Sequence, residues 1–186
     1  MWSRLGSNVQ LLWEKPRWFP KQKAGSLTSS PMDVEFLQGQ FLETIRTIFE
    51  EDYVDDNFKL LFIEQGMAES PDVAPQCIKS FFDDVEKHVD EIDTALKQSP
   101  VNYNQIELGT VRIMRKTAWI GAARIHRKAC VALINTVHAQ DKEECRRNLW
   151  KLKTEVSLLH NHLDNILMLQ EEIMGLGAQV PLDWCR

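Results

Sequence analysis

One apolar seam constrains this chain more than any other feature. Cys145, Leu149, Leu152, Val156, Leu159, Leu163, Ile166 and Ile173 recur at steps of three and four or their sum. That alternation lays a stripe along one side of a long helix, and the stripe is buried only against other helices. A strand would need a period of two. The same steps return upstream in Val34, Leu37, Phe41, Ile45 and Ile48, and again in Val73, Cys77, Phe81, Val85, Val89, Ile92 and Leu96.

The punctuation between the stripes sets the expected boundaries. Asp33 is placed to cap the first helix. A short second helix is expected over Asp56–Gln65, with Gly66 as its stop. Ser70 is the expected N-cap of the third, with Pro71 at its first helical position. Pro100 ends that helix. A fourth is expected from about Tyr103 to His138, and Asp141 caps the last, which "GLGAQVP" stops. No strand pattern exceeds a few residues. The expected fold is all-α: an up-down four-helix bundle with one or two short additional N-terminal helices.

A chain of 186 residues, 44% hydrophobic, suits a single core. No apolar run approaches the roughly 20 residues that span a bilayer, and no secretory signal is visible. The four cysteines, Cys77, Cys130, Cys145 and Cys185, form no CxxC pair. A reduced intracellular chain is expected, with Cys130 and Cys145 in the core. Residues 1–31 carry Arg4, Lys15, Arg17, Lys21 and Lys23 against Glu14, about +4 in a chain of net charge −5. With Trp2, Trp13, Trp18, Pro16, Pro20 and "AGSLTSSP" but no period, they read as a disordered basic leader. The alternative is a membrane-surface or partner contact through the tryptophans. Met32 is a possible alternative start. Residues 32–181 then form the bundle and 182–186 a tail. The acidic remainder gives nucleic-acid binding little support.

The search for reactive chemistry is mostly negative. There is no Gly-rich phosphate loop and no HExxH. His160 and His162 are two apart on a helix, about 200° around it, so they cannot share a metal. The run "FFDDVEKHVDEID" reads as a solvated acidic face. The unusual segment is "TVRIMRKTAWIGAARIHRKAC", Thr110 to Cys130: a basic, partly apolar helix with Val111 and Met114 at its middle, neither capable of acid-base or nucleophilic chemistry. Ile106, Thr110, Ile113, Thr117 and Ile120 are expected to face the core. Glu107, Leu108, Val111, Met114, Arg115, Ala118 and Ala122 share the other side.

Four segments in order, "IFEEDYVDDNFKLLFIEQ", "SPDVAPQCIKSFFDDVEKHVDEIDTAL", "WIGAARIHRKACVALINTV" and "LKTEVSLLHNHLDNILMLQEEIMGLGAQVP", resemble the plant histidine-containing phosphotransfer proteins of cytokinin two-component signalling. Tyr53–Phe58 resembles the family's F-L-D-E-Q-F, with Ser80-Phe81-Phe82 and Ile120-Gly121-Ala122 as further landmarks. The family's centre is H-Q-x-K-G-S-S. Counting back from Ile120 or forward from Phe82 puts its phosphoacceptor histidine on Val111; counting back from Ala129-Cys130 puts it on Arg112. The family lysine falls on Met114, the glycine on Arg115 and the two serines on Lys116 and Thr117.

The resemblance therefore implies a signalling protein rather than an enzyme: a pseudo-phosphotransfer protein with no acceptor histidine, no cofactor and no metal. Its expected partners are receiver domains of sensor histidine kinases and response regulators, bound through Val111, Arg112, Met114, Arg115, Lys116 and Ala118, so that it dampens the pathway. A monomer in cytoplasm and nucleus is implied, with neither a membrane span nor nucleic-acid binding. The alternatives are an active relay protein, with His126 as the nearby candidate acceptor about four turns beyond Val111, a helical adaptor outside any relay, and a gene-model error around "LGTVRIMRKTAW".

Overall fold

The computed structural model describes residues 31–67 and 72–185. Six α-helices follow in order: α1 Pro31–Glu50, α2 Asn57–Met67, α3 Val73–Lys97, α4 Tyr103–Ile120, α5 Val131–His138 and α6 Lys142–Gly175. A π-helical turn, Ile125–Cys130, leads into α5, and a 3-10 turn spans Asp183–Cys185. No strand occurs among the described residues. The all-α bundle is as expected: α3 packs on α4, α5 and α3 on α6, α1 along α6, and α2 across α3 and α4.

The seam of α6 is the core's spine. All eight of its residues, from Cys145 to Ile173, are buried. Asp141 caps α6 as expected, accepting from the Glu144 N–H at 2.9 Å. Burial pushes the Cys130 thiol up to about 12, which suits a packed residue rather than a reactive one.

Several boundaries are corrected. α1 already begins at Pro31, so Asp33 lies in its first turn instead of capping it. α2 runs through Gly66 to Met67. The N-cap of α3 is Asp72, whose side chain makes no capping hydrogen bond; Ser70 and Pro71 lie outside the described residues, as does the leader up to residue 30. The tail is not separate from the bundle. Trp184 packs on Phe49, Phe58 and Phe62, with ring centroids 5.1–6.3 Å apart.

The largest correction divides the expected Tyr103–His138 helix. α4 stops at Gly121, whose φ of 78° is left-handed, and the N–H groups of Gly121 and Ala122 both donate to Thr117 O. A Cβ at Gly121 would stand 2.5 Å from Phe58 N and 2.8 Å from Asp55 Oδ1. The α1–α2 loop occupies that space, so the chain can only turn there.

Candidate functional site

α4 is the helix with the most unusual outer face, and its position is set from three directions. On its α3 side Gly109 lets the two backbones approach: a Cβ there would be 2.8 Å from Ile92 Cγ1. At its N-terminus Asn102 accepts from the Gln105 N–H at 3.1 Å, and the Tyr103 hydroxyl donates to Gln140 O at 2.6 Å. At its C-terminus the α1–α2 loop supplies donors to otherwise unpaired carbonyls: Asn57 Nδ2 to Ala118 O at 3.3 Å and Asp55 N to Gly121 O at 2.8 Å. Ile106, Thr110, Ile113, Thr117 and Ile120 are all buried, as the period predicts.

The outer face divides into three strips. Val111 and Met114 are half-buried, with Met114 packed against the core. Arg112, Arg115, Lys116 and Ala118 are exposed. Ala122, expected on the same side, is fully buried because it lies beyond the Gly121 turn. The centre of the face belongs to two residues that the sequence reading left out of its proposed site: Leu108, 50% exposed, and Trp119, 56% exposed. The signal was present, since positions 108, 112, 115 and 119 follow steps of four, three and four.

The cations of this face are unequal. Lys116 Nζ lies 2.5 Å from Asp84 Oδ2, and Arg112 Nη1 lies 3.5 Å from Glu91 Oε2. Both acids are on α3, in the run read as a solvated face. The Lys116 ammonium holds the Asp84 carboxyl below its ordinary value. Glu91 is also held low, first by its hydrogen bond with His88 Nδ1 at 3.0 Å and then by the Arg112 charge. Arg115 makes no ion pair among the described residues.

His126 is not four turns away. The reversal at Gly121 folds it back, and its Nδ1 lies 3.0 Å from Met114 O and 3.1 Å from Thr117 Oγ1. A carbonyl only accepts, so Nδ1 carries the proton. Thr117 also donates to Met114 O, at 2.9 Å, which leaves its oxygen as an acceptor for the same N–H. When neutral, the ring therefore keeps its lone pair on Nε2. Nε2 makes no hydrogen bond among the described residues and is not sealed from solvent.

The remaining histidines have other occupations. His138 pairs with Glu107 at 3.2 Å. His160 stacks on Phe82 at 4.1 Å between centroids, and His162 leans on Tyr53 at 4.8 Å, so the two face different partners. Among the described residues no group of three His, Cys, Asp or Glu is arranged to hold a metal.

A histidine-containing phosphotransfer protein from Medicago truncatula is 34% identical, over 77% of this chain and 96% of its own, with a TM-score of 0.71. The chain belongs to the histidine-containing phosphotransfer family. No family model matches it. Histidine-containing phosphotransfer protein 1 of Arabidopsis thaliana is 27% identical over 81% of this chain and 96% of its own. Pseudo histidine-containing phosphotransfer protein 2 of Oryza sativa subsp. japonica is 24% identical over 76% and 93%. The family's solved fold also recurs in a maize protein at a TM-score of 0.69, 20% identity, and 74% and 99% coverage.

Proposed function

We propose that this family member is a pseudo-phosphotransfer protein: it docks receiver domains on α4 and takes no phosphoryl group there. One observation carries the reading. None of the 18 residues of α4 is a histidine, and the position onto which the family's acceptor maps is Val111. Accepting a phosphoryl group requires a nitrogen lone pair that can displace the aspartyl carboxylate of the donor. Val111 has none, nor does Arg112, whose guanidinium stays protonated. What survives is a surface. Leu108 and Trp119 supply apolar area, and Arg112, Arg115 and Lys116 surround it with positive charge suited to an acidic receiver pocket. Such a protein competes with phosphate-relaying relatives for the same receivers and dampens cytokinin signalling.

The test is to mix the full chain with a receiver domain carrying labelled aspartyl phosphate. Binding without acid-labile label on the chain is expected. Absence of binding to any receiver would favour a helical adaptor outside the relay.

The placement of His126 supports a second reading. With Nδ1 held by Met114 O and Thr117 Oγ1, its Nε2 lone pair could attack the phosphorus as the aspartyl P–O bond breaks, returning the carboxylate to the receiver. Label on the chain that disappears in His126→Ala would establish that reading and end the first.

A further inference from the structure

α6 carries an outward face that the docking reading does not use. Between Trp150 and Met168 six of its residues are exposed: Trp150, Lys151, Leu158, Asn161, Asn165 and Met168. Only Lys151 is charged. The outward face of α3 is different, with Lys79, Asp83, Glu86, Lys87, Asp90 and Lys97 all exposed. Asp164, its side chain 41% exposed and paired with His160, and Asn165, which donates to Thr44 Oγ1 of α1 at 3.2 Å, border the stripe; an outer stripe this sparsely charged is not the rule in this protein. Trp150 is 57% exposed and Met168 50%. The eighteen steps from one to the other make five whole turns, so both lie on one line about 27 Å apart. Charge returns at the two ends: exposed Arg146 and Arg147, each paired with an acid one turn earlier, Glu143 or Glu144, at one, and exposed Glu171 and Glu172 at the other.

Such a face is complementary to itself turned end for end. In one antiparallel register, Arg146 opposes Glu172 of a second copy, Arg147 opposes Glu171, and Trp150 opposes Met168, a favourable sulfur–aromatic contact. Ser157 and Asn161 then face one another beside the centre. A parallel pairing would instead bring like charges together. We propose that α6 is a self-association face, on which two copies pair antiparallel about a two-fold axis at the level of Leu159. Every contact made by one copy is returned by the other, as an isologous interface requires.

The local ion pairs do not prevent this. Arg146 and Arg147 are held by Glu143 and Glu144 one turn away. Exposed pairs of that kind contribute at most about 1 kcal/mol, so they exchange readily. A contact one helix wide buries less than roughly 1,200 Å², the range of weak, concentration-dependent association. The face is separate from α4, which packs on α3 and α5, whereas α6 packs on α1, α3 and α5. Pairing and receiver docking are thus independent, and failure of one leaves the other standing.

Sedimentation equilibrium of the full chain over a concentration series tests the proposal. The mean mass is expected to climb from 21.6 kDa toward twice that value. R146E/R147E should hold it at one chain, and adding E171R/E172R should restore the climb. All four positions are exposed, and circular dichroism verifies the fold of each variant. A single mass at every concentration overturns the proposal, and so does association indifferent to R146E/R147E. At a concentration where the chain is single, Trp150→Ala should leave the melting temperature unchanged. A fall there would mean that another segment of the same chain covers the stripe, which also overturns the proposal.

Discussion

His126 Nδ1 stands 3.0 Å from the carbonyl oxygen of Met114, twelve residues earlier in the chain. The contact exists because Gly121 reverses the chain, and it brings an imidazole against α4 between Met114 and Thr117, within a turn or two of the mapped acceptor position, without placing it on that helix. It also separates two ways of restoring transfer.

Val111→His alone should give weak labelling by a phosphorylated receiver. Met114 supplies no positive charge to the incoming phosphoryl group, and exposed Arg115 crowds its approach. Adding Met114→Lys and then Arg115→Gly should raise labelling at each step. Label on the chain that survives base but is lost in acid, as a phosphorylated imidazole requires, is the readout. If the triple variant is no better than Val111→His, the mapping onto Val111 is wrong.

Trp119→Ala should weaken receiver binding by about 1–2 kcal/mol, the usual cost of removing an aromatic anchor. Its melting temperature should hardly move, because the ring is 56% exposed. Charge reversal at Arg112 and Lys116 should also reduce binding, more at low salt, where exposed charges are less screened. Titration calorimetry at two ionic strengths distinguishes the anchor from the charges: only the second loss should depend on salt.

The acids facing those cations predict a pH dependence. Asp84 and Glu91 are both held below their ordinary values of 3.8 and 4.5. The native state therefore favours the ionised form. That stability is fully present above the ordinary values and is lost as pH falls through the lower native ones. Both pairs are partly exposed, so each contributes no more than about 1 kcal/mol. Thermal melts from pH 6 to pH 3 should show the loss, and Asp84→Asn with Glu91→Gln should reduce it.

Gly121→Ala should be the most damaging small change in the bundle. The left-handed φ and the 2.5 Å approach to Phe58 N leave no room for a methyl group. Backbone strain of this kind costs on the order of 1–3 kcal/mol, and the clash adds to it. Scanning calorimetry should show a fall of several degrees. An unchanged melting temperature would mean that the α1–α2 loop yields easily.

These predictions mark what the sequence makes legible. The seam from Cys145 to Ile173 and the Asp141 cap are local, periodic signals, and both are seen in the structure. The Gly121 break is not visible in the pattern. The buried period of Ile113, Thr117 and Ile120 resumes in Ile125 and Ala129, and a glycine within a helical pattern is usually tolerated. The requirement for glycine comes from Phe58 and Asp55, more than sixty residues upstream. The pairing of Lys116 with Asp84 and Arg112 with Glu91 is hidden for the same reason: it depends on the rotation of α4 against α3. Trp119 is different, because its place on the outer stripe follows from spacing alone.

The bonds at the two ends of α4 bear on how a partner is met. Tyr103 ties the helix to the α5–α6 turn, and Asn57 and Asp55 tie its far end to the α1–α2 loop. A rod clamped at both ends neither bends nor frays to suit a visitor, so little conformational entropy is left to lose on contact. The adjustment falls to the visiting surface and to a few side chains on the rod. Discrimination between partners is thereby concentrated in the identities of Leu108, Arg115 and Trp119, where exchanging one side chain changes the preference without disturbing the scaffold.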